Sequence, residues 1–251
     1  PEEPCMSNMQ HKNIRGKLAY TSKKPEMMNQ SRGQELFHIT KHTDGQITLR
    51  AHCEIEEPDP TVMRDVVLTL NENNHPMDCF IRLTVGDKFM GSGLFIFDLD
   101  EECNGTIECE SYGPSIGRHS EEKETSGSFD AFGTHPIVGD GWNCRSMNIS
   151  NGPGIYQMRA FMPSLDHRGA TPPMISELTI GIEYHGLEEV TVQAGTFQCH
   201  HFSYMDEVGF NEGVKHPPYD IWVSEEDYVC VKAEVTGYMM TYYELESIEF
   251  D

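Results

Sequence analysis

The sequence predicts an all-β chain, a curved antiparallel sheet or incomplete β-barrel made of two meanders and enclosing a hydrophobic cavity. Three observations predict it. Apolar and polar residues alternate with a period close to two over most of the chain. Turn formers, 22 Gly and 14 Pro, punctuate those runs. Helix-period amphipathic stretches are scarce, which argues against bundles and doubly wound α/β folds. At 251 residues the chain is near the upper limit for one hydrophobic core. One β-barrel-like domain over 32–251 is expected, preceded by an N-terminal arm at 1–31.

The arm is assigned because residues 1–31 mix Pro, Lys, Asn, Ser and Met without a sustained period. Residues 32–112 read as the first meander. Leu36 to Thr40 and Ile47 to Ile55 form a hairpin, since Asp44-Gly45 supplies the positive φ angles of a tight turn. A second hairpin joins Asp65–Leu70 to Asp78–Val85, and a third joins Gly93–Phe97 to Ile107–Tyr112 around Asn104-Gly105. Residues 113–174 break the pattern with Gly, Pro, Ser and His, apart from a stretch near Ile137–Met147 with helical character. So long an irregular segment is often functional, and it reads as a cap on the open side of the sheet. Alternation returns in the second meander, 175–251, at Leu178–His185, Val190–Val192, Thr196–Met205, Tyr219–Val223, Val229–Thr236 and Met239–Ile248.

The stretch from Glu189 to Cys199, EVTVQAGTFQC, followed by Tyr219–Ser224 and Val229–Glu234, carries a family resemblance. It resembles the C-terminal half of an uncharacterised bacterial β family in which a V-x-V-x-A-G-T-F-x-C hairpin precedes an I-W-V-S/D strand. The resemblance covers roughly the last 75 residues. It implies a lipoprotein-carrier-like, or lipocalin-like, fold, a curved sheet wrapped around a short helix with a greasy cavity. It implies no catalytic residues, so special function is sought in the N-terminal half and the middle segment.

Subtracting 41 acidic from 18 basic residues leaves a net charge of −23, a field that repels phosphate backbones and anionic lipid surfaces. No nucleic-acid partner is expected. No window of eighteen uncharged apolar residues exists, so no membrane span is expected either. The eight cysteines form no Cys-x-x-Cys pair. Cys53, Cys79, Cys199 and Cys230 lie in apolar runs as small buried side chains, while Cys103 and Cys109 flank a turn that a disulfide can bridge. The chain reads as soluble, with the cytoplasm slightly favoured over secretion, and a homodimer stays open.

The candidate chemistry falls in three places. In the Gly-rich run 132–142, His135 and Asp140 form an acid/base pair with Trp142 as a stacking wall, and Arg118 supplies a cation. On the strand 196–205, His200 and Tyr204 share a face and are expected to reach the cavity together with Asp220 and Trp222. Arg50, on one face with His52 and Glu54, holds a substrate carboxylate if it points inward; pointing outward, it pairs across strands. Cys199-His200-His201 with His216 invites a metal ion, but adjacent strand residues point to opposite faces. Without a bulge no metal site is expected.

No Gly-x-Ser-x-Gly elbow, Walker loop, dinucleotide fingerprint or His-Glu-x-x-His helix occurs, so no cofactor is expected. The function expected is a cofactor-independent lyase, hydratase or isomerase using acid–base chemistry on a small hydrophobic or aromatic metabolite. His135, Asp140, Tyr204 and His200 move protons in it, and Arg50, Arg118, Trp142, Asp220 and Trp222 bind substrate. The alternative is a non-catalytic carrier of a lipid-like ligand. A third reading, an interaction or structural module, gains if the interior is solid.

Overall fold

A computed structural model describes residues 11–56, 60–164, 174–205, 218–237 and 239–251. His216, one residue of the metal motif, lies outside the described residues.

Strand β1 (Lys12–Ser22) falls where an arm is expected, and it is a central strand. Its inward face carries Ile14, Leu18 and Tyr20, all buried. The period is hidden because the inward position between Ile14 and Leu18 is Gly16. The Phe37 ring fills that gap so closely that a Cβ on Gly16 would come within 2.3 Å of it. The neighbour supplies the missing apolar group.

From β2 (Ser31–Lys41) the chain runs as a meander through β3 (Ile47–Ile55), β4 (Val62–Leu70), β5 (Pro76–Val85), β6 (Lys88–Leu99) and β7 (Gly105–Gly113). Each strand pairs antiparallel with the next. The Asp44-Gly45 turn occurs as the sequence requires, with Gly45 at φ +91°. The segment 113–174 is more regular than its composition suggests. It contains β8 (Gly117–Thr125), β9 (Ala131–Phe132), helix α1 (Ile137–Asn143) and β10 (Gly154–Met162). Strand β8, GRHSEEKET, escapes the alternation rule because it is an edge strand with polar residues on both faces.

The second meander comprises β11 (Ser176–Val192), β12 (Gly195–Met205), β13 (Tyr219–Ser224), β14 (Cys230–Val235) and β15 (Thr241–Phe250). Two of the expected runs merge in the 17-residue β11.

Among the described residues, the fifteen strands form one open sheet, in the order β8 to β1, then β15 down to β9. The two meanders are joined through β1 and β15. The sheet is left open between β8 and β9, where side chains make the connection. Lys123 pairs with Glu177 at 3.1 Å, the Arg159 guanidinium donates to the carbonyls of Ser126 and Gly127, and Ile175 N–H donates to Glu121. Phe95 and Phe97 pack on Phe132, and Phe129 packs on Phe161, filling the inside of this seam.

Helix α1 occupies the space where a pouch is expected. Its sequence, IVGDGWN, is apolar on nearly every side, as a helix surrounded by protein must be. Ile137, Val138 and Trp142 are buried, and Gly141 lies so close to β13 that an added Cβ would come within 2.9 Å of Val223. Beside Trp142, a crevice lined by Leu68, Leu70 and Phe132 retains about 10 Å³, room for one water. The seven described cysteines are buried and none is paired in a disulfide, Cys103 and Cys109 included. Among the described residues, no helix is long and apolar enough to cross a membrane.

Candidate functional site

The interior polar groups converge on α1. Pro136, at the start of the helix, offers no side-chain cap, so the first helical N–H groups need an acceptor from elsewhere. Glu35 on β2 supplies it. One carboxylate oxygen accepts from Ile137 N–H and the other from Val138 N–H, both at 2.9 Å, while Tyr20 donates its hydroxyl hydrogen at 2.5 Å. Glu35 is fully buried, and burial raises its pKa against the opposing pull of these bonds. Further along the helix, the Asp140 carboxylate accepts from the Tyr219 hydroxyl at 3.1 Å, and the Asp140 carbonyl accepts from the Tyr204 hydroxyl at 2.7 Å. Burial pushes the Asp140 carboxyl up to about 8, with Tyr219 opposing and the nearby Glu35 adding to the rise. Cys144, beside Tyr204, is raised by burial to about 12 and is an inert thiol.

The candidate residues are distributed otherwise than expected. His135 sits at φ +70° with Nε2 facing the Ser164 carbonyl at 3.3 Å, so the acid/base pair with Asp140 is not formed. Trp142 is a core residue. His200 is buried and faces the Tyr184 hydroxyl at 2.8 Å, whereas Tyr204 bonds to α1, so these two do not share a proton path. Burial lowers the His200 pKa and keeps the ring neutral. Asp220 and Trp222 are on the opposite face from His200 and Tyr204, because the register pairs Asp220 with Ser203 and Trp222 with His201. Arg50 points outward and donates to Thr40, with His52 bridging Glu54 and Asp65 beside it, so the outward, cross-strand arrangement is the one found. Arg118 is also on the outer face, opposite Tyr112 on the edge strand and away from the run 132–142.

Two outer-face features take the place of the pouch. The first is a shallow trough of about 260 Å³ lined by Phe80, Ser92, Leu94, Glu110, Tyr112 and Arg118. Phe80, Leu94 and Tyr112 are exposed, and the register sets Phe80 beside Leu94 and Tyr112 beside Arg118, giving apolar walls with a cation at one end. Its signal in the sequence is the outward parity of Phe80 and Leu94, positions that a water-facing strand fills with polar groups.

The second is a polar cluster on β11, β12 and β13. The pairing slips between Tyr184 and Gly186, so His185 is an extra residue with no partner across the ladder, and Gly186 takes φ +113°. His185 shares the outward parity of Glu183 and lies beside His201, with ring centroids 4.3 Å apart. His201 Nε2 lies 3.0 Å from Asp220 Oδ1, and the Ser203 hydroxyl sits 2.7 Å from His185 Nε2 and 2.5 Å from the same Asp220 oxygen. The indole of Trp222 stacks on the His201 ring at 4.2 Å, with the Lys232 ammonium on the Trp222 ring, also at 4.2 Å.

Sequence reasoning passes over Glu35, Tyr20 and Tyr219 in the interior, and His185, Ser203 and Glu188 outside. Glu35 leaves one signal, a carboxylate at the parity of Phe37 and Ile39. His185-Gly186 leaves another, a glycine interrupting a strand pattern.

No protein-family model matches the chain, and no curated protein matches it. Among solved structures, it is similar to a beta-barrel-like protein of domain of unknown function DUF1849 from Brucella abortus. The identity is 10% and the TM-score 0.57, over 96% of this chain and 97% of that one. A protein with a YmcC-like fold from Bacteroides fragilis aligns at 9% identity over 95% of each chain, with a TM-score of 0.31. The likeness thus extends over nearly the whole chain instead of its last third, and what it shows is the beta-barrel-like fold.

Proposed function

We propose that the protein is a non-catalytic carrier of a small amphipathic ligand, an aliphatic or aromatic body bearing an anionic head, held in the outer trough of β5 to β8. The observation that carries this reading is the exposed apolar wall of Phe80, Leu94 and Tyr112 ending at Arg118. A trough of about 260 Å³ suits a compact guest, and a guanidinium on a chain of net charge −23 is a specific place for a carboxylate or sulfonate. Seven buried cysteines outside any disulfide accord with a reducing compartment such as the cytoplasm. Pairing into a homodimer through edge strand β8 is opposed by its glutamates 121, 122 and 124, which would meet their own copies.

A second reading rests on one observation, the Asp140 carboxyl held protonated up to about 8 beside Tyr219. That is the range of a general acid, and a lyase or isomerase acting on a small hydrophobic metabolite would use it once α1 moves aside. Titration with anilinonaphthalene sulfonate, an anionic aromatic fluorophore, separates the two. In the carrier reading, saturable binding to the folded protein is lost in Phe80→Ser and weakened in Arg118→Ala, and medium-chain fatty acid competes. Binding that ignores both variants and responds to Asp140→Asn moves the site inside.

A further inference from the structure

We propose that the outer face of β11 to β13 binds one divalent transition-metal ion of the zinc class through His185, His201 and Asp220. One ligand atom from each already lies within 4.8 Å of the other two. A tetrahedral ion with bonds of about 2.0–2.1 Å needs its ligand atoms about 3.4 Å apart. His201 Nε2 and Asp220 Oδ1 are 3.0 Å apart, so small rotations of the two imidazoles complete the set.

The surrounding groups are those a metal site requires. A ligating histidine directs its second ring nitrogen at a carboxylate or carbonyl, which fixes the tautomer and the ring plane. His201 Nδ1 meets Glu188 Oε1 at 3.1 Å, and the same glutamate is held by the Trp222 indole N–H. His185 Nδ1 faces Glu183 Oε1 at 3.9 Å. The Nε2 atoms point at the same place, His201 toward Asp220 and His185 toward Ser203 beside it. The Ser203 hydroxyl, between His185 and Asp220, holds the ligands together when no ion is present and must turn aside to admit one. Imidazole with carboxylate favours zinc, copper or nickel over magnesium or calcium. The alternation that keeps His200 and His201 apart does not reach this site, because the second imidazole, His185, comes from the neighbouring strand, where it shares the outward parity of Glu183.

The test is titration of untagged, chelator-treated full chain with Co2+, read by the visible absorption of a low-symmetry cobalt site and by quenching of Trp222 emission, followed by displacement with Zn2+. One ion per chain is expected. His201→Ala and Asp220→Asn abolish the band while far-UV circular dichroism shows them folded. Ser203→Ala keeps it, and Glu188→Gln weakens affinity about 10–100-fold. Absence of saturable binding in the wild type overturns the proposal, as does binding that survives in His201→Ala and Asp220→Asn.

Discussion

The inside of the sheet and the outer face of β11 to β13 carry the same kinds of side chain and put them to opposite uses. Around α1, Glu35 and Asp140 accept hydrogen bonds from backbone N–H groups and tyrosine hydroxyls in the buried interior. On the outer face, His185, His201 and Asp220 have a serine hydroxyl between them and open access to solvent. Convergence of polar groups is common to both places, so convergence alone does not mark a site. What differs is the partner. Inside, Glu35 completes a helix that would otherwise have orphaned donors; outside, the imidazole nitrogens meet the side-chain oxygens of Ser203, Asp220 and Glu188.

That contrast is broken most severely at Glu35. Replacing it by Ala orphans two buried N–H groups and the Tyr20 hydroxyl. At about 1–3 kcal/mol for each of the three unsatisfied groups, the loss in a denaturant titration should be about 3–9 kcal/mol. Glu35→Gln, which keeps an acceptor, should lose less.

Asp140 gives a pH test of the interior. Its folded pKa of about 8 lies above the ordinary 3.8, so the folded chain keeps a proton that the unfolded chain releases. Stability therefore falls as pH rises between those values, by at most about 1.4 kcal/mol per unit, and this contribution is constant above 8. Melting temperatures from pH 5 to 8 should show the decline, and Asp140→Asn should flatten it. A decline unchanged in the variant would mean that solvent reaches the carboxylate.

Gly186→Ala sharpens the outer side of the comparison. The new Cβ would touch only Pro153, at 3.6 Å, so its cost is the backbone conformation at φ +113°, about 1–3 kcal/mol. A chemical denaturation curve measures that loss, and imidazole NMR shifts should show His185 leaving His201. The smallest effect is expected at Arg50→Ala, within about 0.5 kcal/mol, because the exposed guanidinium makes a single bond to Thr40.

The strands of the first meander are legible because each alternates and the turns at Gly45, Asn71–Asn74 and Asn104-Gly105 carry glycine or asparagine. Helix α1 was visible as a break in that alternation. The cap by Glu35 was not, since its partners are 102 and 103 residues away and nothing local connects them. Asp220 and Trp222 were assigned to the wrong face because parity along one strand says nothing of its phase against the next. Only register, Ser203 opposite Asp220, decides it. The likeness to a lipoprotein carrier suggested a sheet around a short helix, but it could not say that the helix fills the space.

Strand β1 has a consequence for how the molecule is made. It is synthesised before every other strand of the sheet and pairs with β15, which follows them all; Arg15 and Asp251, 236 residues apart, end up bonded to one another. Until β15 has been made, one edge of β1 has no neighbour, and the joining of the two halves waits on closure of a loop that spans the intervening thirteen strands. During that interval, a chaperone or a second nascent copy competes with β15 for the same row of backbone groups.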